Sequence, residues 1–167
     1  MFVDDSVVFP SHDPDFTGGG HQPMGFDEMI ALYDHYTVVS AKITVTCFHN
    51  ENVPMIWGIE TKDNTTLSST NINYLQEKIG NRWTFMGEAN KTKTLTKTVN
   101  CAKFLSKDPM GNPEMQGSSS ANPVEGVNFL VWCGPAEAAA VDLSAKQFNV
   151  RLEYWAFFTE PHSLPNS

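Results

Sequence analysis

The sequence predicts an all-β protein, a single jelly-roll sandwich of about eight antiparallel strands in two sheets, with short helices in the loops at residues 23–35 and 71–79. Three observations carry this. Apolar and polar residues alternate with period two through VSAKITVTC (39–47) and FNVRLEYWAFF (148–158), the signature of half-buried strands. Turn-forming segments separate the strand-like stretches, and no strand alternates regularly with a helix long enough for a parallel crossover. Finally, 167 residues suffice for one domain with its own core and are too few for two ordinary ones.

The elements follow in chain order. Val3, Val7, Val8 and Phe9 among Asp4, Asp5 and Ser6 suit a short strand near a sheet edge. SHDPDFTGGGHQP is a loop, with two prolines and three consecutive glycines. Phe26, Met29, Ile30 and Tyr33 then recur at i, i+3, i+4 and i+7, with Asp27 and Glu28 in the first turn, which predicts a short amphipathic helix. The period changes to two at Val39. Val39, Ala41, Ile43, Val45 and Cys47 share one face, and Ser40, Lys42, Thr44 and Thr46 the other.

After a turn at 49–52, PMIWGI (54–59) predicts a second strand antiparallel to the first. Ile72, Leu75 and Ile79 before Gly80 predict a second short helix. RWTFMG (82–87) and KTKTLTKTVNCAKFL (91–105) each read as a strand. Residues 106–125 form a long loop that includes one ill-defined strand within 106–119. VNFLVWC (127–133) is apolar throughout, as a strand buried on both faces would be. In the last strand Phe148, Val150, Leu152, Tyr154, Ala156 and Phe158 are expected inward. Trp155 and Phe157 fall on the otherwise polar outward face, so either a loop covers them or they meet a partner subunit, which makes them candidates for a subunit interface.

Charge and cysteine content narrow the function classes. A net charge of −8 argues against a nucleic-acid binder that works through a broad basic surface. The local exception is Lys91, Lys93 and Lys97, which alternate with threonines. They either deter edge pairing or touch phosphate, and they are the candidate nucleic-acid contacts. Cys47, Cys101 and Cys133 are odd in number, widely spaced and in apolar contexts, so they read as free buried thiols. No apolar run approaches the ~20 residues of a membrane span, so no membrane association is expected. No nucleophile elbow, zinc-protease motif or phosphate-binding glycine loop is present, so no enzyme activity and no cofactor is expected. His12, His21 and His35 lie near Asp13 and Asp15, the residue types of a metal hydrolase site, but the Asp13 and Asp15 spacing matches no calcium loop and His35 is better placed to cap a helix, so no metal is expected. His35 is expected at a helix end, satisfying a cap.

GHQPMGFDEMIALYDHYTVVSAKITVTCF resembles a segment of the capsid proteins of circovirus-like small circular single-stranded DNA viruses. The matching residues are Gly20, His21, Gln22, Pro23, Gly25, Phe26 and Asp27, then Tyr33, Tyr36, Val38, Lys42 and Ile43. KTLTKTVNCAKFL, SANPVEGVNFLVW and the aromatic last strand follow in the same order, so the resemblance covers nearly the whole chain. It implies a jelly roll that self-assembles into an icosahedral T=1 shell of about sixty copies, the number of equivalent positions in that symmetry. It further implies a single-stranded DNA cargo, a place in the virion and assembly in the host nucleus. Members of the group carry an arginine-rich arm that binds the genome. These 167 residues contain no such run, so DNA is expected to be held only weakly by them. The alternative class is a jelly-roll module that binds a ligand or carbohydrate, stacking sugar rings on Trp57, Trp83 or Trp155.

Overall fold

The computed structural model describes residues 6–8, 23–50, 53–87, 91–136 and 146–163. Its strands are β1 (Ser6–Val8), β2 (Tyr33–His49), β3 (Met55–Lys62), β4 (Arg82–Met86), β5 (Lys91–Asn100), β6 (Gln116–Gly117), β7 (Asn128–Pro135) and β8 (Lys146–Pro161). Three short helices interrupt them: α1 (Phe26–Ile30), α2 (Ile72–Glu77) and α3 (Cys101–Leu105). Every strand pair is antiparallel. One sheet has the order β1-β7-β3-β4. In the other, β2 is central, with β8 along one edge and β5 and β6 sharing the opposite edge. The nested pairing of β2 with β8 in one sheet and β3 with β7 in the other winds the chain as a jelly roll.

The core lies between the sheets. Ala41, Ile43, Val45 and Cys47 of β2 face Met55, Trp57 and Ile59 of β3 and Phe129, Val131 and Cys133 of β7. Trp57 satisfies its indole by donating to Met86 Sδ at 3.0 Å. The expected alternation in β2 holds from Ala41 onward but not at Val39. A bulge between Val38 and Ser40 inserts one residue against β8, so Tyr36 and Val38 point inward before it and Ala41 after it.

β7 is buried on both faces because the sheet carrying it is covered on its outer side. Leu75 of α2 is fully buried, and Ile72 lies over Gly134, where a Cβ would collide with its Cδ1. Trp132 lies against Gly58, where any side chain would meet both its ring and the Arg82 carbonyl. All three cysteines are buried and none forms a disulfide, and burial pushes the Cys101 thiol up to about 11.

Four expectations are corrected. The helix expected over 23–35 is only Phe26–Ile30, because Tyr33 already pairs with Pro161 and the chain from there belongs to the β2–β8 ladder. β3 is not a neighbour of β2: both edges of β2 are occupied, so the connection crosses to the other sheet. The strand expected through 91–105 stops at Asn100, whose Oδ1 accepts from Lys103 N at 2.9 Å and caps α3. The ill-defined strand within 106–119 is the two-residue β6, preceded by a 3-10 turn at Pro113–Met115.

Candidate assembly surfaces

Four features could carry function: an aromatic outer face on β8, a second on β4, the lysines of β5, and a buried ionic group beneath α2.

The register of β8 on β2 sets the first. Tyr154 lies opposite Ala41 and Phe158 opposite Tyr36, both toward the interior, so Trp155 and Phe157 project outward. Each is 49% exposed. The same outer face carries Glu153 with Lys42 at 2.8 Å and Arg151 at 3.4 Å, beside a threonine ladder in which Thr46 meets Thr94 at 2.9 Å. These contacts hold Glu153 ionised, with Lys42 as the main cause of its lowered pKa.

β4 repeats the pattern on the other sheet. Trp83 and Phe85 lie opposite Gly58 and Ile56 and are about half exposed. Each aromatic pair sits on a peripheral strand, in the sequences WTF and WAF. Trp57, read from sequence as a third stacking surface, is fully buried in the core and cannot serve as one.

The lysines do not line the outer face. Lys91, Lys93 and Lys97 pair with His49, Cys47 and Ile43, all buried, and so lie on the side of β5 that carries Leu95 and Val99. The threonines between them face outward. Lys91 and Lys93 are exposed to solvent, and Lys93 Nζ donates to Thr84 Oγ1 of β4 at 3.3 Å. Lys97 is half-buried, and this burial lowers its pKa to about 8 against the attraction of Glu60, with Lys78 and Arg82 lowering it further.

Glu60 has no solvent exposure, yet it is charged. Burial alone would raise its pKa, but Lys78 Nζ, Ser68 Oγ and Ser68 N donate to its carboxylate and together hold it below the usual carboxylate range. This group ties the loop before α2 and the residue after it to β3. No sequence signal singled it out, since Glu60 reads as an ordinary strand-end carboxylate.

His35 lies within β2 rather than at a helix end. Its Nε2 is 3.6 Å from Glu160, and His162 Nε2 meets Asp34 at 2.7 Å, so two His–carboxylate pairs join the start of β2 to the end of β8. His12, His21, Asp13 and Asp15 lie outside the described residues. Among the described residues no group of three His, Cys, Asp or Glu side chains could hold a metal ion. A hollow of about 250 Å³ opens beneath α1, walled by Met24, Phe26, Met29, Tyr36, Tyr154 and Phe158. Among the described residues no helix is long and apolar enough to cross a membrane.

No protein-family model matches the chain, and no curated protein matches it. Among solved structures it is similar to a chain of Desmodium yellow mottle tymovirus, with 15% identity, TM-score 0.43, and coverage of 87% of this chain and 76% of that one. It is also similar to a chain in the cryo-EM structure of Mud crab tombus-like virus, with 12% identity, TM-score 0.47, and coverage of 95% and 77%. Likeness at this level carries no argument about function.

Proposed function

We propose that this protein is a viral capsid subunit that self-assembles into an icosahedral shell of about sixty copies, the count of equivalent positions in T=1 symmetry. The observation that carries the reading is the outward Trp155 and Phe157 on β8, two large aromatics half-exposed on a strand whose other outward residues are polar. Exposed aromatics of this kind are the anchors from which specific interfaces are built. The second pair, Trp83 and Phe85, lies on the opposite sheet, and a subunit with several neighbours in a closed shell needs more than one contact patch. The sequence resemblance to circovirus-like capsid proteins supports the same reading and adds a circular single-stranded DNA cargo, with assembly in the host nucleus.

In this reading Lys91, Lys93 and Lys97 are supplementary genome contacts. Three lysines on a chain of net charge −8 neutralise few phosphates, so DNA binding by these residues is weak and salt-sensitive. A carbohydrate-binding module would instead use Trp83 or Trp155 as a sugar platform.

Sedimentation separates the two. The wild-type chain is expected as fast-sedimenting particles, and the W155D/F157D double variant as slow species with an unchanged far-UV spectrum. A variant that still assembles fully would remove the β8 aromatics from the interface, and a wild-type monomer that binds oligosaccharide would favour the binding module.

A further inference from the structure

We infer that β8 of one subunit pairs edge to edge with β8 of a second copy, antiparallel, about a two-fold axis through Leu152. The inference rests on the reading of the chain as a self-assembling subunit and specifies one of its contacts.

Three observations lead to it. β8 runs for 16 residues and pairs with β2 along its length, while among the described residues no strand pairs with its other edge. The sandwich is closed on the opposite side, where β4 lies beside β5, and β1, the outer strand of the second sheet, has only three residues. Long open edges are ordinarily blunted by lysine, proline or a break. From Gln147 to Glu160, β8 contains neither lysine nor proline.

Charge then selects the partner and the register. An antiparallel pair of identical strands centred on residue 151 would set Arg151 against Arg151, and one centred on 153 would set Glu153 against Glu153. Centring on Leu152 sets Arg151 of each copy opposite Glu153 of the other, twice per interface. The Arg151 side chain is 73% exposed and reaches its own Glu153 at only 3.4 Å, so it is available for that exchange. The same register places Val150, 38% exposed despite facing the core side, against Tyr154 of the second copy. It also brings Asn149 opposite Trp155, which extends the aromatic contact across the axis.

Paired positions across such a ladder have Cα atoms about 4.5–5.5 Å apart, within disulfide reach. The test mixes an N149C chain with a W155C chain under mild oxidation, each also being oxidised alone. The expected result is a disulfide-linked dimer from the mixture and none from either chain alone, since two copies of position 149 would lie roughly 20 Å apart. The native thiols are buried and give little background. As a second measurement, R151E brings four carboxylates together at the axis and is expected to weaken self-association at least tenfold. Particles that form without the mixed disulfide would overturn the β8 pairing and leave the shell standing. A cross-linked dimer that never forms particles would support the pairing and remove the shell, and a monomer under all conditions would remove both.

Discussion

Tyr36 joins the helix, the long strand and the loop before β7. It is fully buried, its ring meets Phe26 edge-on at 5.2 Å, and its hydroxyl reaches Asn122 Oδ1 at 3.5 Å. Its ring also fills the space above Gly117, where a Cβ would collide with it. Tyr36→Ala is therefore expected to cost about 3–5 kcal/mol in urea unfolding. Tyr33, half-buried and tilted against Phe158 at 5.9 Å, should cost less when truncated, on the order of 1–2 kcal/mol. Equal losses at the two positions would show that the helix, not the Tyr36 site, sets the energy. Lys97 makes the opposite kind of prediction. Its pKa of about 8 in the fold lies below the ordinary lysine value, so the unfolded chain binds more protons than the fold between about pH 8 and 10.5. Stability contributed by this residue rises with pH through that window. K97M should stabilise the fold at pH 7 by about 1–2 kcal/mol after allowance for solvent screening, and the gain should vanish above about pH 10.5. A constant difference across pH would show that packing alone is responsible.

At the scale of elements, α2 is held to its sheet by one buried charge group and by the apolar side chains of Leu75 and Ile72. The depressed Glu60 pKa means that its contribution is fully present above the ordinary glutamate value, about 4.3, and is lost as pH falls through the folded value. K78M leaves the Glu60 carboxylate buried without its cation and should cost about 3–5 kcal/mol at pH 7. The loss should shrink at acid pH as the carboxylate takes a proton. An acid limb identical in wild type and K78M would contradict this.

The elements also show what alternation alone conveys. β7 is legible because an apolar run has one interpretation once helices are excluded, and β8 because its period never slips in the sequence. The bulge at Val38/Ser40 was not legible, since Val38 and Val39 are both apolar and either phase fits. Nor was α3, because CAKFL continues an apolar pattern and only the Asn100 cap ends the strand. Glu60 was hidden because its partners Ser68 and Lys78 are set by a loop and a helix end that no local pattern places. Of the candidate surface, the outward position of Trp155 and Phe157 could be read directly. The inward turn of the lysines was implicit in Leu95 and Val99 sharing their face.

At the scale of the molecule, the sandwich presents aromatic pairs on the outer faces of both sheets, and beside one of them a 16-residue strand whose second edge no strand pairs with among the described residues. A chain of net charge −8 attracts little nucleic acid by itself. Particles assembled from these 167 residues should therefore show, after nuclease treatment, a 260/280 nm absorbance ratio typical of protein. A ratio typical of filled virions would move the genome contacts onto the folded sandwich.

The most direct test of the capsid reading is electron microscopy of the purified chain across salt concentration and pH. The account predicts closed particles of uniform diameter whose class averages obey icosahedral symmetry, with each subunit burying well over ~1,000 Å² against its neighbours. A field of isolated monomers under every condition, at concentrations far above those of ordinary specific association, would contradict it.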